Sequence, residues 1–117
     1  MVNNDLAQRL FKFAGLVLQL LKSFPNSPEA KVIRYQLAKS ATSSGANYEE
    51  SQAGSSKRDF ANKIRIALRE MRETNYWLRL SEFSFKNEKI DHSLLKELIS
   101  ESNELIKILG SILNKCQ

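Results

Sequence analysis

The sequence predicts an all-α protein, an antiparallel up-down-up-down four-helix bundle formed by one domain of 117 residues. Along three long segments, apolar residues recur at alternating steps of four and three, which is the period of a helix packed in a bundle. Turn residues separate the segments, and no segment alternates with period two over enough length to predict a strand. Short turns between four helices favour neighbours that run in opposite directions.

The first predicted helix covers about residues 4–24 and ends at a proline turn. Its inward-facing apolar series consists of Leu6, Leu10, Phe13, Val17, Leu20 and Phe24. Pro25 ends the helix, because proline lacks the backbone N–H that a continuing helix needs. Ser27 and Pro28 then have the residue types of an N-cap and of a first helical position. The second predicted helix therefore covers about residues 28–53.

The third and fourth predicted helices also begin at capping residues. Ser56, with Asp59 three positions later, resembles a capping box and predicts a helix over about residues 57–84. Its apolar series consists of Phe60, Ile64, Ala67, Met71, Thr74 and Leu78. Asp91 predicts the N-cap of a last helix over about residues 92–115. That helix carries Leu95, Leu98, Ser102, Leu105, Leu109 and Ile112 on one side.

The segment "SSGANYEESQAGSSKRDF", residues 43–60, exchanges large side chains for small ones. Ala41, Ser44 and Gly45 form a small-residue stripe, along which we expect another helix to approach closely. The side chain of Asn47 can hydrogen-bond within the same contact. Because glycine weakens a helix by about 1 kcal/mol relative to alanine, we expect packing to hold this part of the helix together. Gly54 is expected to end the second helix in the left-handed conformation.

The sequence argues against catalysis, a resident metal and a cofactor. Glu49 and Glu50 are adjacent on a helix and point about 100° apart, so they cannot converge on one substrate atom. The sequence contains one histidine, His92, and one cysteine, Cys116, which are too few for common metal sites. No strand followed by a phosphate-binding glycine loop is present. With no recognisable leader and no apolar run long enough for a bilayer, we expect a cytoplasmic protein without membrane contact.

Basic residues concentrate on the third predicted helix. The net charge of the chain is +5, and residues 57–79 alone contain seven basic and three acidic residues, a net charge of +4. Five arginines are expected to share one helical face: Arg58, Arg65, Arg69, Arg72 and Arg79. We include Lys63 with these five as a candidate contact to nucleic acid, since arginine forks and lysine ammonium groups both suit phosphates.

Other roles for these basic residues remain open at this point. They can form a solvated face with pairs inside the helix, such as Asp59 with Lys63 or Arg65 with Glu70. They can also pair with Glu49 and Glu50 across the contact between the second and third helices. Tyr76 and Trp77 can stack on bases, although a tryptophan beside leucines is also typical of a core or an interface.

The middle third of the chain closely resembles the bacterial four helix bundle protein family, first noted as reading frames in intervening sequences of large-subunit ribosomal RNA genes. The family pattern begins with small residues and G-A-N-x-x-E. It continues with a Gly/Ser turn, S-K-x-D-F, a basic–apolar helix and R-E-T-x-Y-W-L-R-L. The matching residues are Gly45, Ala46, Asn47, Glu50, Ser56, Lys57, Asp59, Phe60, Arg72, Glu73, Thr74, Tyr76, Trp77, Leu78, Arg79 and Leu80.

The resemblance implies an antiparallel bundle that assembles with copies of itself into a ring, a pentamer, without catalytic activity. Similar proteins include the accessory protein of diversity-generating retroelements, which binds nucleic acid and a reverse transcriptase. Two functions follow for this chain. In the first, the basic helix binds RNA or DNA. In the second, the protein is a scaffold for a protein partner, and its arginines form salt bridges between helices or subunits.

Overall fold

In the computed structural model, residues 5–54 and 56–116 are described, and that part of the chain folds into four helices. They are α1 (Asp5–Leu21), α2 (Pro28–Ser51), α3 (Lys57–Ser84) and α4 (His92–Lys115). The helices confirm the predicted fold class. Helices that are consecutive in the chain contact each other, and α1 also contacts α4. In a bundle of 46 × 24 × 19 Å, α1 therefore lies diagonally opposite α3.

The three predicted helix starts are confirmed by their capping hydrogen bonds. The side chains of Ser27, Ser56 and Asp91 each accept a hydrogen bond from the backbone N–H three residues later, at 3.1–3.2 Å. These bonds satisfy N–H groups that the first helical turn leaves without an intrahelical partner. Gly54 has a φ of +64°, the left-handed conformation expected between α2 and α3.

Two helices end slightly earlier than the sequence predicts. The helix α1 ends at Leu21 rather than near residue 24, because residues 22–24 donate to carbonyls three positions earlier and tighten the chain. The helix α2 ends at Ser51 rather than near residue 53, and residues 52 and 53 close a similar turn. The predicted beginning of α1 at residue 4 lies outside the described residues.

The predicted apolar series form the core. In the first series, the members from Leu10 to Phe24 are buried, while Leu6 packs against the core from a half-buried position. On α3, Phe60 is half-buried and the remaining members are buried. On α4, the buried members are Leu95, Leu98, Ser102, Leu105 and Leu109. Burial of these stripes supplies the main favourable contribution to folding.

Small hydroxyl residues form the contact between α2 and α3. The Ser44 hydroxyl donates to the backbone carbonyl of Ala67 at 2.8 Å, and the hydroxyl oxygens of Ser40 and Thr74 are hydrogen-bonded at 2.8 Å. A side chain that reaches the backbone of the neighbouring helix requires a close approach, which small residues permit. Since Ser40 pairs with Thr74 and Ser44 with Ala67, the two helices run in opposite directions.

The contact between α1 and α4 includes an ion pair. Both Nε and Nη2 of Arg9 donate to the carboxylate of Glu101, at 2.6 and 2.8 Å. This hydrogen-bonded carboxylate holds the pKa of Arg9 above its ordinary value. Further along, the Ser23 hydroxyl accepts from the backbone N–H of Asp91 at 3.0 Å. The order of the two contacts shows that α1 and α4 are also antiparallel.

Replacing Ser44 with leucine should destabilise the bundle strongly. The side chain is fully buried against α3, so added volume must push the helices apart. Overpacking of a core costs about 1–3 kcal/mol, and the lost hydrogen bond adds about 1 kcal/mol. We expect the free energy of unfolding in urea to fall by about 2–4 kcal/mol.

The matched control is Ser44→Ala. It removes the same hydrogen bond but adds no volume, and alanine regains about 0.5 kcal/mol of helix propensity. We expect a loss below about 1 kcal/mol. Equal stability of the alanine and leucine variants would contradict the close contact.

Tyr48 should make the fold sensitive to alkaline pH. Burial raises the pKa of its phenol above the ordinary value of 10.0, because burial disfavours the charged phenolate. The resulting contribution to stability is complete below the pKa of the unfolded chain and disappears as the pH rises through the folded-state pKa. Tyr48→Phe should therefore lose less stability than the wild type between about pH 8 and about pH 11 in urea unfolding. Equal losses in both proteins would show that Tyr48 is not responsible.

Candidate nucleic-acid interface

The arginine face, defined as Arg58, Arg65, Arg69, Arg72 and Arg79, lies on the solvent side of α3. The core side of α3 carries Ile64, Ala67, Met71, Thr74 and Leu78, which are buried. Since a helix turns about 100° per residue, the five arginines fall within about 80° on the opposite side. All five are exposed. Packing of the apolar stripe onto α2 and α4 therefore directs the arginines outward.

The contacts of the arginine face involve few acidic groups. Arg65 Nη1 donates to Asn62 Oδ1 at 2.9 Å, and Arg79 Nε donates to Asn75 Oδ1 at 2.8 Å. Arg69 Nε lies 3.6 Å from a Glu70 oxygen, and the Arg69 side chain remains 71% exposed. Such an exposed and loose ion pair contributes little to stability. The predicted pairing of Arg65 with Glu70 is wrong, because Arg65 contacts Asn62 instead.

Glu49 and Glu50 do not neutralise the arginine face. Both are exposed on α2, and within residues 5–54 and 56–116 neither forms an ion pair. Both line a groove between α1 and α2, and Glu50 also lines a groove between α2 and α3. The interpretation that pairs them with the α3 arginines inside one chain is therefore wrong.

Lys63 lies apart from the arginine face. It is five positions from Arg58, a rotation of about 140° around the helix, and it is half-buried. It lines a groove between α2 and α3 together with Glu50 and Ile66. Lys63 was predicted as a contact together with the arginines on the basis of its charge, and helical phase separates it from them.

Aromatic side chains extend the arginine face toward the end of α3. Tyr76 is 50% exposed and Phe83 is 76% exposed. The guanidinium carbon of Arg79 lies 5.9 Å from the centre of the Tyr76 ring, within the range of a cation–π contact. Trp77 is half-buried, packs against the core and donates from Nε1 to Glu73 at 3.3 Å. Trp77 thus supports the structure beside this face, while Tyr76 belongs to it.

A buried polar network anchors this end of the arginine face to α4. The side-chain amide of Asn75 donates to Ser102 Oγ at 2.8 Å and to Asn103 Oδ1 at 3.1 Å. Its oxygen accepts from Arg79, so the amide links α4 to a surface arginine. Neither Phe83 nor the Asn75 network was among the predicted site residues. Phe83 could have been found from sequence, since it lies seven positions beyond Tyr76.

The small residues that were predicted as an interface contact two helices, α1 and α3. Ala41 is fully buried, and Ser44 contacts α3. A Cβ atom added to Gly45 would lie 3.4 Å from the Cβ of Leu10 on α1, an ordinary contact distance. Asn47 donates to the carbonyl of Ser43 at 2.9 Å, a hydrogen bond within α2 rather than across a contact.

None of the helices in the described residues is long and apolar enough to cross a membrane.

Comparisons with known proteins agree with this architecture. A solved structure, a protein of unknown function from the S23 ribosomal protein family of Bacteroides thetaiotaomicron VPI-5482, matches with a TM-score of 0.78 and 34% identity. The match covers 92% of this chain and 96% of that one. No curated protein matches. The family model described as 23S rRNA-intervening sequence protein matches residues 2–111, and the chain therefore belongs to that family.

Proposed function

We propose that this protein is a non-enzymatic helical bundle of the cytoplasm that assembles into a closed ring, a pentamer, and binds nucleic acid through the arginine face. The observation that carries the binding proposal is the concentration of five exposed arginines, with no acidic residue among them, on one side of α3. Because the family description names ribosomal RNA, we choose RNA as the first ligand to test.

The arginine face matches the chemistry of a phosphate backbone. From Arg58 to Arg79 it extends about 32 Å along α3, at about 1.5 Å per residue. Guanidinium groups stay charged at every physiological pH and bind phosphate oxygens in a bidentate manner. Arg65 and Arg79 are oriented by neutral amide oxygens, which leaves their positive charge uncompensated. A polyanion would supply the missing negative charge.

Self-association is supported by the apolar groove between α1 and α2. We define this groove by Phe11, Ala14, Gly15 and Leu18 of α1 and by Gly45 and Ala46 of α2, with a volume of about 490 Å³. Phe11 is 75% exposed and Leu18 is 43% exposed. Solvent exposure of such large side chains beside one another is characteristic of a surface that binds another protein.

Packing within a single chain does not require glycine at the two glycine positions of the apolar groove. A Cβ atom at Gly15 would meet nothing within 4 Å, and one at Gly45 would make an ordinary contact. Each glycine costs a helix about 1 kcal/mol relative to alanine. Close approach by another chain would offset that cost, and we propose a second copy as that chain. A contact between unlike surfaces of successive copies forms a ring when the rotation from one copy to the next closes.

Replacing Arg65, Arg69 and Arg72 with glutamine should weaken nucleic-acid binding and reduce its salt dependence. Each phosphate contact to a single strand contributes about 0.7 to the slope of log K against log salt concentration. Loss of three contacts should therefore reduce the slope by about 2. Fluorescence anisotropy with a labelled RNA strand, repeated over a range of salt concentrations, measures both effects.

The control variant replaces Lys22, Lys31 and Lys39 with glutamine. It removes the same charge from α2 and from the turn that follows α1, and all three lysines are exposed. We expect a smaller change in affinity and an unchanged slope. Equal effects of the two triple variants would contradict a binding site on α3, and negligible wild-type affinity for RNA and DNA at low salt would overturn the binding proposal.

The scaffold hypothesis remains a second candidate because Glu49 and Glu50 lack ion-pair partners among the described residues. They border the apolar groove, where a neighbouring copy could supply the arginines. In that arrangement the arginine triple variant would dissociate the ring. Light scattering on this variant separates the two candidates, because nucleic-acid binding predicts an intact assembly with reduced affinity.

Leu18→Glu should disrupt the ring without unfolding the chain. The new carboxylate would lose its hydration in a contact through the apolar groove, which costs several kcal/mol. We expect a smaller species by light scattering. Val32→Glu is the matched control, because Val32 is 57% exposed on α2 and does not line the groove. An unchanged mass for Leu18→Glu, or a monomeric wild type, would contradict assembly through this groove.

A further inference from the structure

We propose that the arginine face selects single-stranded over double-stranded nucleic acid, by stacking unpaired bases on Tyr76 and Phe83. This inference rests on the proposed binding function and specifies its ligand class. In this arrangement the arginines bind phosphates along most of α3, and the two aromatic rings bind bases near its end. Double-stranded nucleic acid could use only the phosphate contacts.

Both aromatic residues are in phase with the arginines. Tyr76 follows Arg69 by seven positions, and Phe83 follows Tyr76 by seven. Because seven residues are close to two helical turns, each step changes direction by only about 20°. The two rings are therefore placed about 10.5 Å apart along the axis of α3, on the same side as the guanidinium groups. Their exposed fractions of 50% and 76% leave surface available to a ligand.

Contacts on α3 hold Tyr76 in place before a base arrives. Its ring packs edge-on against Trp77, with ring centres 5.2 Å apart and an interplanar angle of 79°. Trp77 is itself half-buried against the core. Arg79 lies near the ring and is oriented by Asn75. A ring restrained in this way loses little side-chain entropy when a base stacks on it.

The two helices that flank α3 limit how deeply it can enter the major groove of duplex DNA. The major groove of B-form DNA is about 12 Å wide and admits a single helix. Here α3 contacts α2 on one side and α4 on the other, in a bundle of 24 × 19 Å in cross-section. The major groove of an RNA duplex is narrower still. A duplex would therefore touch the arginine face with its phosphates while its bases stay stacked on each other.

An unpaired strand offers both phosphates for the arginines and accessible bases for the two aromatic rings. Base–aromatic stacking tolerates any sequence, because every base has a flat face, and it is strong enough to alter affinity severalfold for each base. Proteins that bind single strands commonly combine a positively charged track with such rings. At about 3.4 Å per nucleotide in a stacked strand, the 32 Å from Arg58 to Arg79 corresponds to about nine nucleotides.

Fluorescence anisotropy with three labelled probes of about twelve nucleotides tests the proposal. The probes are an unstructured RNA strand, the corresponding RNA duplex, and an abasic strand that keeps the phosphates but lacks bases. For the wild type, we expect the RNA strand to bind more tightly than either other probe. Tyr76→Ala and Phe83→Ala should each weaken binding of the RNA strand about fivefold, and the double variant about 25-fold. Binding of the duplex and the abasic strand should not change.

Conservative and matched variants distinguish stacking from structural damage. Tyr76→Phe keeps the ring and should retain wild-type affinity. Tyr35→Ala removes a tyrosine that is 65% exposed on α2 rather than on α3, and should have no effect. Circular dichroism and light scattering on every variant identify loss of fold or assembly.

The outcomes separate this inference from the proposed function. If the three probes bind equally, or if the aromatic variants bind the RNA strand like the wild type, stacking is overturned while arginine-dependent binding stands. If no probe binds at low salt, both proposals fall. Loss of affinity for all three probes in Tyr76→Ala with an intact fold would also overturn stacking, because the abasic strand has no base to stack.

Discussion

The close contact between α2 and α3 determines which side of α3 faces solvent. Ser44 reaches the backbone carbonyl of Ala67 at 2.8 Å, so the two helix axes cannot separate without breaking that bond. Ala67, Thr74 and Ser81 recur every seven positions along α3 and are fully buried. This spacing keeps one narrow side of the helix against α2 over its length. The opposite side, which carries the arginines, is thereby directed outward along the same length.

The arginines of α1 and α3 have different surroundings. Arg9 is held by both oxygens of Glu101, and this pair joins α1 to α4. On α3, Arg65 and Arg69 are four positions apart, a spacing at which like charges destabilise a helix by about 0.2–0.5 kcal/mol. A glutamate at either position would have relieved that repulsion. This repulsion is therefore a local cost to α3 that an external anion would offset, which favours a role in binding over a role in stability.

Features set by neighbouring residues in the sequence were predicted better than contacts between helices. The residues Ser27, Ser56 and Asp91 predicted three helix starts, because an N-cap acts within one turn of chain. The Asn75 network was not predictable, since it depends on how α3 and α4 align. Lys63 was grouped with the arginines because a count of charges ignores helical phase. Helical phase can be calculated from the sequence at about 100° per residue. That calculation would have excluded Lys63 from the predicted face and included Phe83. Pairing of Glu49 and Glu50 with the arginines required a distance between helices, which no sequence pattern supplies.

The positions of the two candidate surfaces make assembly and binding compatible. The apolar groove lies between α1 and α2, whereas the arginine face lies on α3, diagonally opposite α1. Copies that meet through the groove can therefore leave the arginine faces open, and a ring would present one arginine face per copy. A nucleic-acid strand long enough to reach two neighbouring arginine faces would bind the second face in an intramolecular step. For short spacings, the effective concentration of the second face is in the millimolar range. Weak contact at each face would then suffice for tight binding by the ring, so the proposed assembly would strengthen the proposed binding without any additional contact within a single copy.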